Sequence, residues 1–284
     1  MKQEKEIYDI IYNRLGLKNL EAYKNYCESF YKDPIRVVSQ EEIDLLSPDG
    51  INNYAFWRVA EELFKTDPVS NCLFKGEFSI TQANRNNLDI YLLDGIIPLI
   101  QYFQKYGYNK NIFEIGPGYG ALKNWVETNT LFSYNGVDSY PKVKGIHETD
   151  ENGLMKQETV ELFKEKIDFC VASNVFQHLS VRQRNQYYKD VATLLSEKGI
   201  FAVSQFHDNP NNPYCRSADG RMWLRHYGQF TEIQKSDEIY NDIGKYFNID
   251  STTYKSGWMV LFLRKKAIKI AEAPIIPIEV EKAA

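Results

Sequence analysis

The sequence predicts an α/β protein: a mainly parallel sheet covered by helices, closed by a C-terminal antiparallel hairpin and preceded by an N-terminal helical cap. Three observations predict it. Residues 111–122, NIFEIGPGYGAL, pass from an apolar strand through three glycines into an apolar helix. Strand and helix patterns alternate from there to residue 206, which implies right-handed crossovers and parallel strands buried on both faces. Near the end, FNIDSTTYKSGWMVLFLRKK reads as two strands turning at Lys255, Ser256 and Gly257.

Each element has its own signal. In YAFWRVAEELFK, Ala55, Phe56, Val59, Ala60, Leu63 and Phe64 recur at the spacing of one helix face, so residues 1–94 read as a helical cap or lid. Residues 95–267 form the main domain, which opens with a helix over Ile96–Tyr106. A strand follows at 111–115, a helix from 121, a strand near 133–138 and a helix near 156–165. The apolar run IDFCVASN makes a strand over 167–174. Tyr187, Val191 and Leu194 share a face of the next helix, which Gly199 ends before the strand IFAVSQF. Residues 207–230 are polar, aromatic and rich in Asn and Pro, and read as a long functional loop. Ile239, Ile243 and Phe247 then mark a helix, and residues 268–284 have no period and read as a tail or linker.

Composition excludes several classes of function. With 284 residues the chain can bury a sizeable core, as one large domain or a domain with an elaboration. Net charge is −4 and the longest basic run is Arg264, Lys265 and Lys266, so nothing resembles the footprint of a nucleic-acid binder. Cys27, Cys72, Cys170 and Cys215 form no CxxC pair, which argues against a zinc knuckle or disulfide framework and suits a reducing cytoplasm. No run approaches a membrane span, and MKQEKEIYD lacks the basic and apolar regions of a secretion signal. The expectation is a cytoplasmic protein, compatible with a homodimer.

The chemistry concentrates at the glycine turn. Without side chains at Gly116, Gly118 and Gly120 the backbone can pass close under a ligand. Asp138, ending the strand SYNGVD, suits a vicinal ribose diol, because a carboxylate accepts from two hydroxyls at once. The turn also fits the dinucleotide fingerprint GxGxxG/A, but about 110 residues precede it and Glu114 would repel a pyrophosphate. A cation would be attracted. S-adenosylmethionine carries a sulfonium and an ammonium and no phosphate, so it is favoured over NAD.

These motifs carry a resemblance. EIGPGYGAL, Asp138, IDFCVASNVFQHLS and the closing hairpin are similar to the class I S-adenosylmethionine-dependent methyltransferases, over roughly residues 88–267. More narrowly, EIGxGYGxL with SNVFQHLS and YYKDV resembles the sugar O-methyltransferases of surface-polysaccharide gene clusters. The resemblance implies a Rossmann-like, seven-stranded methyltransferase sheet. It also implies Glu114 and the glycine turn near the methionyl part, Asp138 on the ribose, and Asn174 near the transferred methyl. The text after Asp138 departs from the family's pattern, which leaves the adenine contact near Asp150 unassigned.

Methyl transfer to a hydroxyl needs an acceptor held in line with the methyl and a base for its proton. His178 and His207 both fall just past the carboxyl ends of strands, where open α/β sheets bind ligands. His178 is the expected general base, with His207 or Asp208 as second choices or as groups that orient it. In the segment 207–230, Tyr214, Arg216, Arg221, Trp223 and Arg225 suit a sugar or the phosphates of a sugar nucleotide. His207 with Asp208 could also hold a divalent ion, but two residues make a poor metal site and none is assigned. The leading function is methyl transfer to a hydroxyl of a sugar, sugar nucleotide or glycan. Alternatives are N- or O-methylation of another small metabolite, an inactive methyltransferase-like binding subunit, and an NAD-dependent oxidoreductase.

Overall fold

The structure is a computed structural model and describes residues 22, 25, 36–47, 88–107, 111–139, 141, 143–208, 215–226, 229–255 and 258–266. The helix face at 55–64, Tyr214, the turn residues Ser256 and Gly257, and the tail lie outside the described residues, as does the side chain of Arg225.

The central strand is β2 (Asn111–Ile115). Its residues Ile112 to Ile115 are all buried, as expected of a parallel strand covered on both faces. β3 (Ser133–Asp138) pairs with it on one side and β5 (Ile167–Ala172) on the other, both parallel. The short β4 (His147–Glu148), which the sequence reading missed, extends the sheet beyond β3. Beyond β5 lies β6 (Leu195–Phe206), parallel to it. Then β11 (Trp258–Lys265) pairs antiparallel with β6, and β10 (Phe247–Lys255) pairs antiparallel with β11. The order β10-β11-β6-β5-β2-β3-β4 is the Rossmann-like seven-stranded sheet that the resemblance implies, with the C-terminal antiparallel hairpin that the sequence predicts.

Alternate residues of each strand feed two cores, as the two-residue period of a strand requires. Ile112, Phe169 and Val171 pack with helices α2 (Ile96–Tyr106) and α3 (Ala121–Asn129) on one face. Phe113, Cys170 and Ala172 pack on the other with helices α4 (Gln157–Phe163), α5 (Val181–Leu194) and α6 (Ser236–Ile243). The aromatic wealth of the chain goes largely here: Phe176, Tyr187, Tyr188, Phe201 and Phe247 are almost wholly buried and pack ring against ring.

Three expectations are corrected. The segment 207–230 is no uninterrupted loop: β7 (Cys215–Ser217), β8 (Met222–His226) and β9 (Gln229–Glu232) form an antiparallel meander. β1 (Val37–Val38), from the segment read as helical, adds to it in parallel, ahead of helix α1 (Gln40–Leu46) with its Ser39 capping box. Strands this short carry too few residues for alternation to stand out. Next, α5 ends at Leu194 and Gly199 lies inside β6 rather than at a helix cap; a Cβ on Gly199 would stand 2.7 Å from the carbonyl oxygen of Ile167. Glycine is there because two strands approach closely. Finally, α6 stops at Ile243 with Gly244 at its end, and Phe247 opens β10.

Candidate functional site

The chain leaves β2 toward β3 on one side and returns to β5 on the other, so the carboxyl ends of β2 and β5 border the point where the strand order reverses. Ligands of open α/β sheets bind at such a point. A cleft of about 140 Å³ opens there, lined by Ile90, Tyr91, Gly116, Pro117, Gly118, Ser173 and Asn174. This is smaller than the roughly 300–1,000 Å³ of a complete small-molecule site, so it matches one end of a nucleoside-sized ligand.

The glycines act differently from one another. Gly118 has φ 54° and faces open space, so its missing side chain keeps the cleft clear. Gly116, at φ 67°, is packed: a Cβ there would lie 2.4 Å from Val175 Cγ2. Its N–H donates to Val137 O at 2.8 Å, which fastens the turn to the end of β3. Gly120 is the N-cap of α3. Across the cleft Asn174 has φ 60°, a region uncommon for residues with side chains but tolerated best by Asn and Asp. Its N–H donates to Ser204 Oγ at 3.2 Å, which ties the exit of β5 to β6. Strain of this kind concentrates at functional sites.

Asp138 sits where the sequence places it, at the end of β3, and its Oδ2 accepts from Gly118 N at 3.2 Å. The carboxylate is therefore bonded to the open glycine, which is itself one of the cleft's lining residues. Asp150 is committed elsewhere, since its Oδ1 accepts from Asn152 N at 2.9 Å and Leu154 N at 2.8 Å and so shapes its own turn.

Glu114 does not line the cleft. It is 0 % exposed, with Tyr91 OH donating to Oε1 at 2.5 Å and Tyr134 OH donating to Oε2. Burial pushes its carboxyl up to about 7, with nearby Asp138 adding to the rise and the two phenols opposing it. Tyr91, which lines the cleft while holding Glu114, is a site residue that sequence reasoning missed. No local pattern marks it, because it lies 23 residues upstream on a different element.

The histidines fall outside the cleft lining. His178 ends a 3₁₀ turn, Phe176–His178, that leaves β5 beside Asn174; it is buried, with Nε2 3.4 Å from Gln177 Nε2. It is not the cap of α5, for Ser180 is the N-cap and forms a reciprocal capping box with Gln183. His207 follows β6 and meets the ring of Tyr254 edge-on at 5.2 Å. Asp208 Oδ1 accepts from both the N–H and the hydroxyl of Ser236 at 2.9 Å, at the entrance to α6. Its Oδ1 also stands 4.0 Å from His207 Nδ1. Among the described residues no group of three His, Cys, Asp or Glu converges on a metal position.

The aromatic and basic residues of 215–226 belong to the small sheet. Trp223 is 4 % exposed, so its ring is core rather than an open platform. Arg221 lies over that ring at 5.2 Å and pairs with Asp219 at 2.8 Å. Arg216 projects from β7, whose N–H at that residue donates to Arg36 O at 3.1 Å.

No protein-family model and no curated protein matches this chain. Solved structures do. An S-adenosylmethionine-dependent methyltransferase from Mesorhizobium loti is 13% identical, over 61% of this chain and 98% of its own, at a TM-score of 0.41. The 1,6-didemethyltoxoflavin-N1-methyltransferase of Burkholderia thailandensis, solved with 1,6-didemethyltoxoflavin and S-adenosylhomocysteine, is 13% identical over 66% and 85%, at 0.42. A protein from Pyrococcus horikoshii OT3 is 13% identical over 61% and 89%, at 0.46. The fold assignment rests on the strand order and registers given above.

Proposed function

We propose that this chain is an S-adenosylmethionine-dependent methyltransferase that transfers a methyl group to a hydroxyl of a sugar, sugar nucleotide or glycan. The observation that carries the cofactor is the cleft at the reversal of strand order, with the open Gly118 in its lining and the Asp138 carboxylate bonded to the N–H of that glycine. The residues fit the cofactor. Asp138 would take the ribose hydroxyls, and the Gly116–Gly118 backbone, Asn174 and Tyr91 would enclose the methionyl end. Bound there, S-adenosylmethionine supplies a methyl already activated on a positively charged sulfur.

The protein's own work is then to hold the acceptor, exclude water and take a proton. His178 is the proposed base, because its turn leaves the same strand end as Asn174. Asp208 is the weaker choice, with one carboxylate oxygen already receiving two hydrogen bonds from Ser236. A sugar acceptor is supported by the resemblance of SNVFQHLS and YYKDV to sugar O-methyltransferases. A second reading, methylation of an amine on another small metabolite, is favoured by one fact: no histidine is among the described residues lining the cleft. An amine needs less help from a base.

Calorimetric titration with S-adenosylmethionine, S-adenosylhomocysteine and NAD tests the cofactor; binding of the first two is expected, and binding of NAD alone overturns the reading. Incubation with S-adenosylmethionine and a panel of nucleotide sugars, followed by mass spectrometry, should show a 14-dalton gain on one of them, the mass of an added CH₂. Modification of an amine panel alone would establish the second reading.

A further inference from the structure

Among the described residues, Glu114 is a buried carboxyl group without a counter-charge. Both of its oxygens accept from phenols, Tyr91 from the helical segment 88–93 and Tyr134 from β3. The other ionisable groups that face it are Asp138 at the end of β3 and the Cys170 thiol on β5, neither of them cationic. Among the described residues no lysine, arginine or histidine pairs with it. Phenol hydrogen bonds stabilise an anion, but a carboxylate in a dry interior ordinarily requires a positive partner or gives up its charge by taking a proton. The space for a partner is the neighbouring cleft, because Tyr91, which donates to Glu114, is also one of the cleft's lining residues.

We infer that Glu114 is a proton-coupled receptor for positive charge in the cleft: with the cleft empty it holds a proton, and a cationic ligand expels that proton. The inference rests on the reading that the ligand is S-adenosylmethionine, and it assigns Glu114 a task different from direct contact. In the step, the Glu114 O–H bond breaks, its electron pair stays on the carboxylate, and the proton passes to solvent. The hydroxyls of Tyr91 and Tyr134, already placed one on each oxygen, both donate to the new anion. A phenol both donates and accepts, so the same two side chains serve either protonation state without moving their rings. Burial pushes the carboxyl up to about 7, so the exchange falls near neutral pH.

Calorimetric titration of the full chain with S-adenosylmethionine at pH 7, in buffers of contrasting ionisation enthalpy, counts protons released on binding. Relative to a Glu114→Gln variant, the wild type should release about half a proton more per ligand bound, because a group titrating near 7 is half protonated there. S-adenosylhomocysteine, which lacks the sulfonium, should release less. Equal proton counts in wild type and variant, with the ligand bound in both, overturn the inference and leave the cofactor reading intact. No binding of S-adenosylmethionine to the wild type overturns the cofactor reading itself. If Glu114→Gln is recovered unfolded, the carbon-13 carboxyl signal of Glu114 in the wild type decides instead: it should move from the acid to the carboxylate position on loading, and a signal that stays put overturns the inference.

Discussion

The carboxyl edge of the main sheet has two halves of different construction. Around β2, β3 and β5 the site is made of backbone: Gly116, Gly118 and Asn174 hold left-handed conformations, and N–H groups are pinned to Val137 O, Asp138 and Ser204. Around β6 and the small sheet the surface is made of packed side chains. Trp223 is buried under Arg221, His207 lies against Tyr254, and Asp208 is bound to Ser236. A geometry set by backbone is fixed before any ligand arrives, whereas one set by side chains adjusts to its acceptor. The first half thus suits the proposed cofactor, whose shape does not vary.

Substitutions can break that division, beginning with the most severe. His178→Ala should reduce turnover by about 10²–10⁴-fold while leaving S-adenosylmethionine affinity within a factor of two, the signature of a lost general base. Full turnover in the variant would move proton removal elsewhere or point to an amine acceptor. Next comes acidity. Glu114 is raised from its ordinary 4.5 to about 7, so between those values the folded state binds more protons than the unfolded one. Stability should therefore fall as pH rises through that window, by on the order of 3 kcal/mol, and level off above it. Chemical denaturation across the window measures the slope, which Glu114→Gln should flatten.

A paired substitution sharpens the contrast within the glycine turn. Gly116→Ala meets Val175 and should cost roughly 2–3 kcal/mol of stability, read as a lower Tm. Gly118→Ala has open space and should cost only about 1–2 kcal/mol from its positive φ, yet weaken cofactor binding at least about tenfold by filling the cleft. The reverse ranking would mean that the cleft is not the ligand site. Smallest is Ser236→Ala, which removes one of the two bonds to Asp208 and should cost about 1 kcal/mol with little change in turnover. A large loss of activity there would instead place Asp208 in the chemistry.

The same division governs what could be read from the sequence. Glycines, an acidic strand end and apolar runs are local signals, and they placed α2, β2 and β3 at their observed bounds. Asp138 was legible for the same reason. Tyr91 was not, because its meaning arises from a contact between elements far apart in sequence. Nor was the small sheet, whose strands of two to five residues draw on chain positions from Val37 to Glu232. Phe247 continued the helical spacing of Ile239 and Ile243 by coincidence; Gly244 between them was the stop signal that periodicity alone overlooked.

The antiparallel strand β11 has a consequence for biosynthesis. Every residue of β6 from Ile200 to Phe206 is matched with one of β11, and β10 reaches the sheet only through that strand. Until β11 has emerged from the ribosome, β6 presents a bare, greasy border able to recruit other nascent chains. The arrival of β11 seals it. A premature stop before Trp258 should therefore yield inclusion bodies rather than a shortened but serviceable protein.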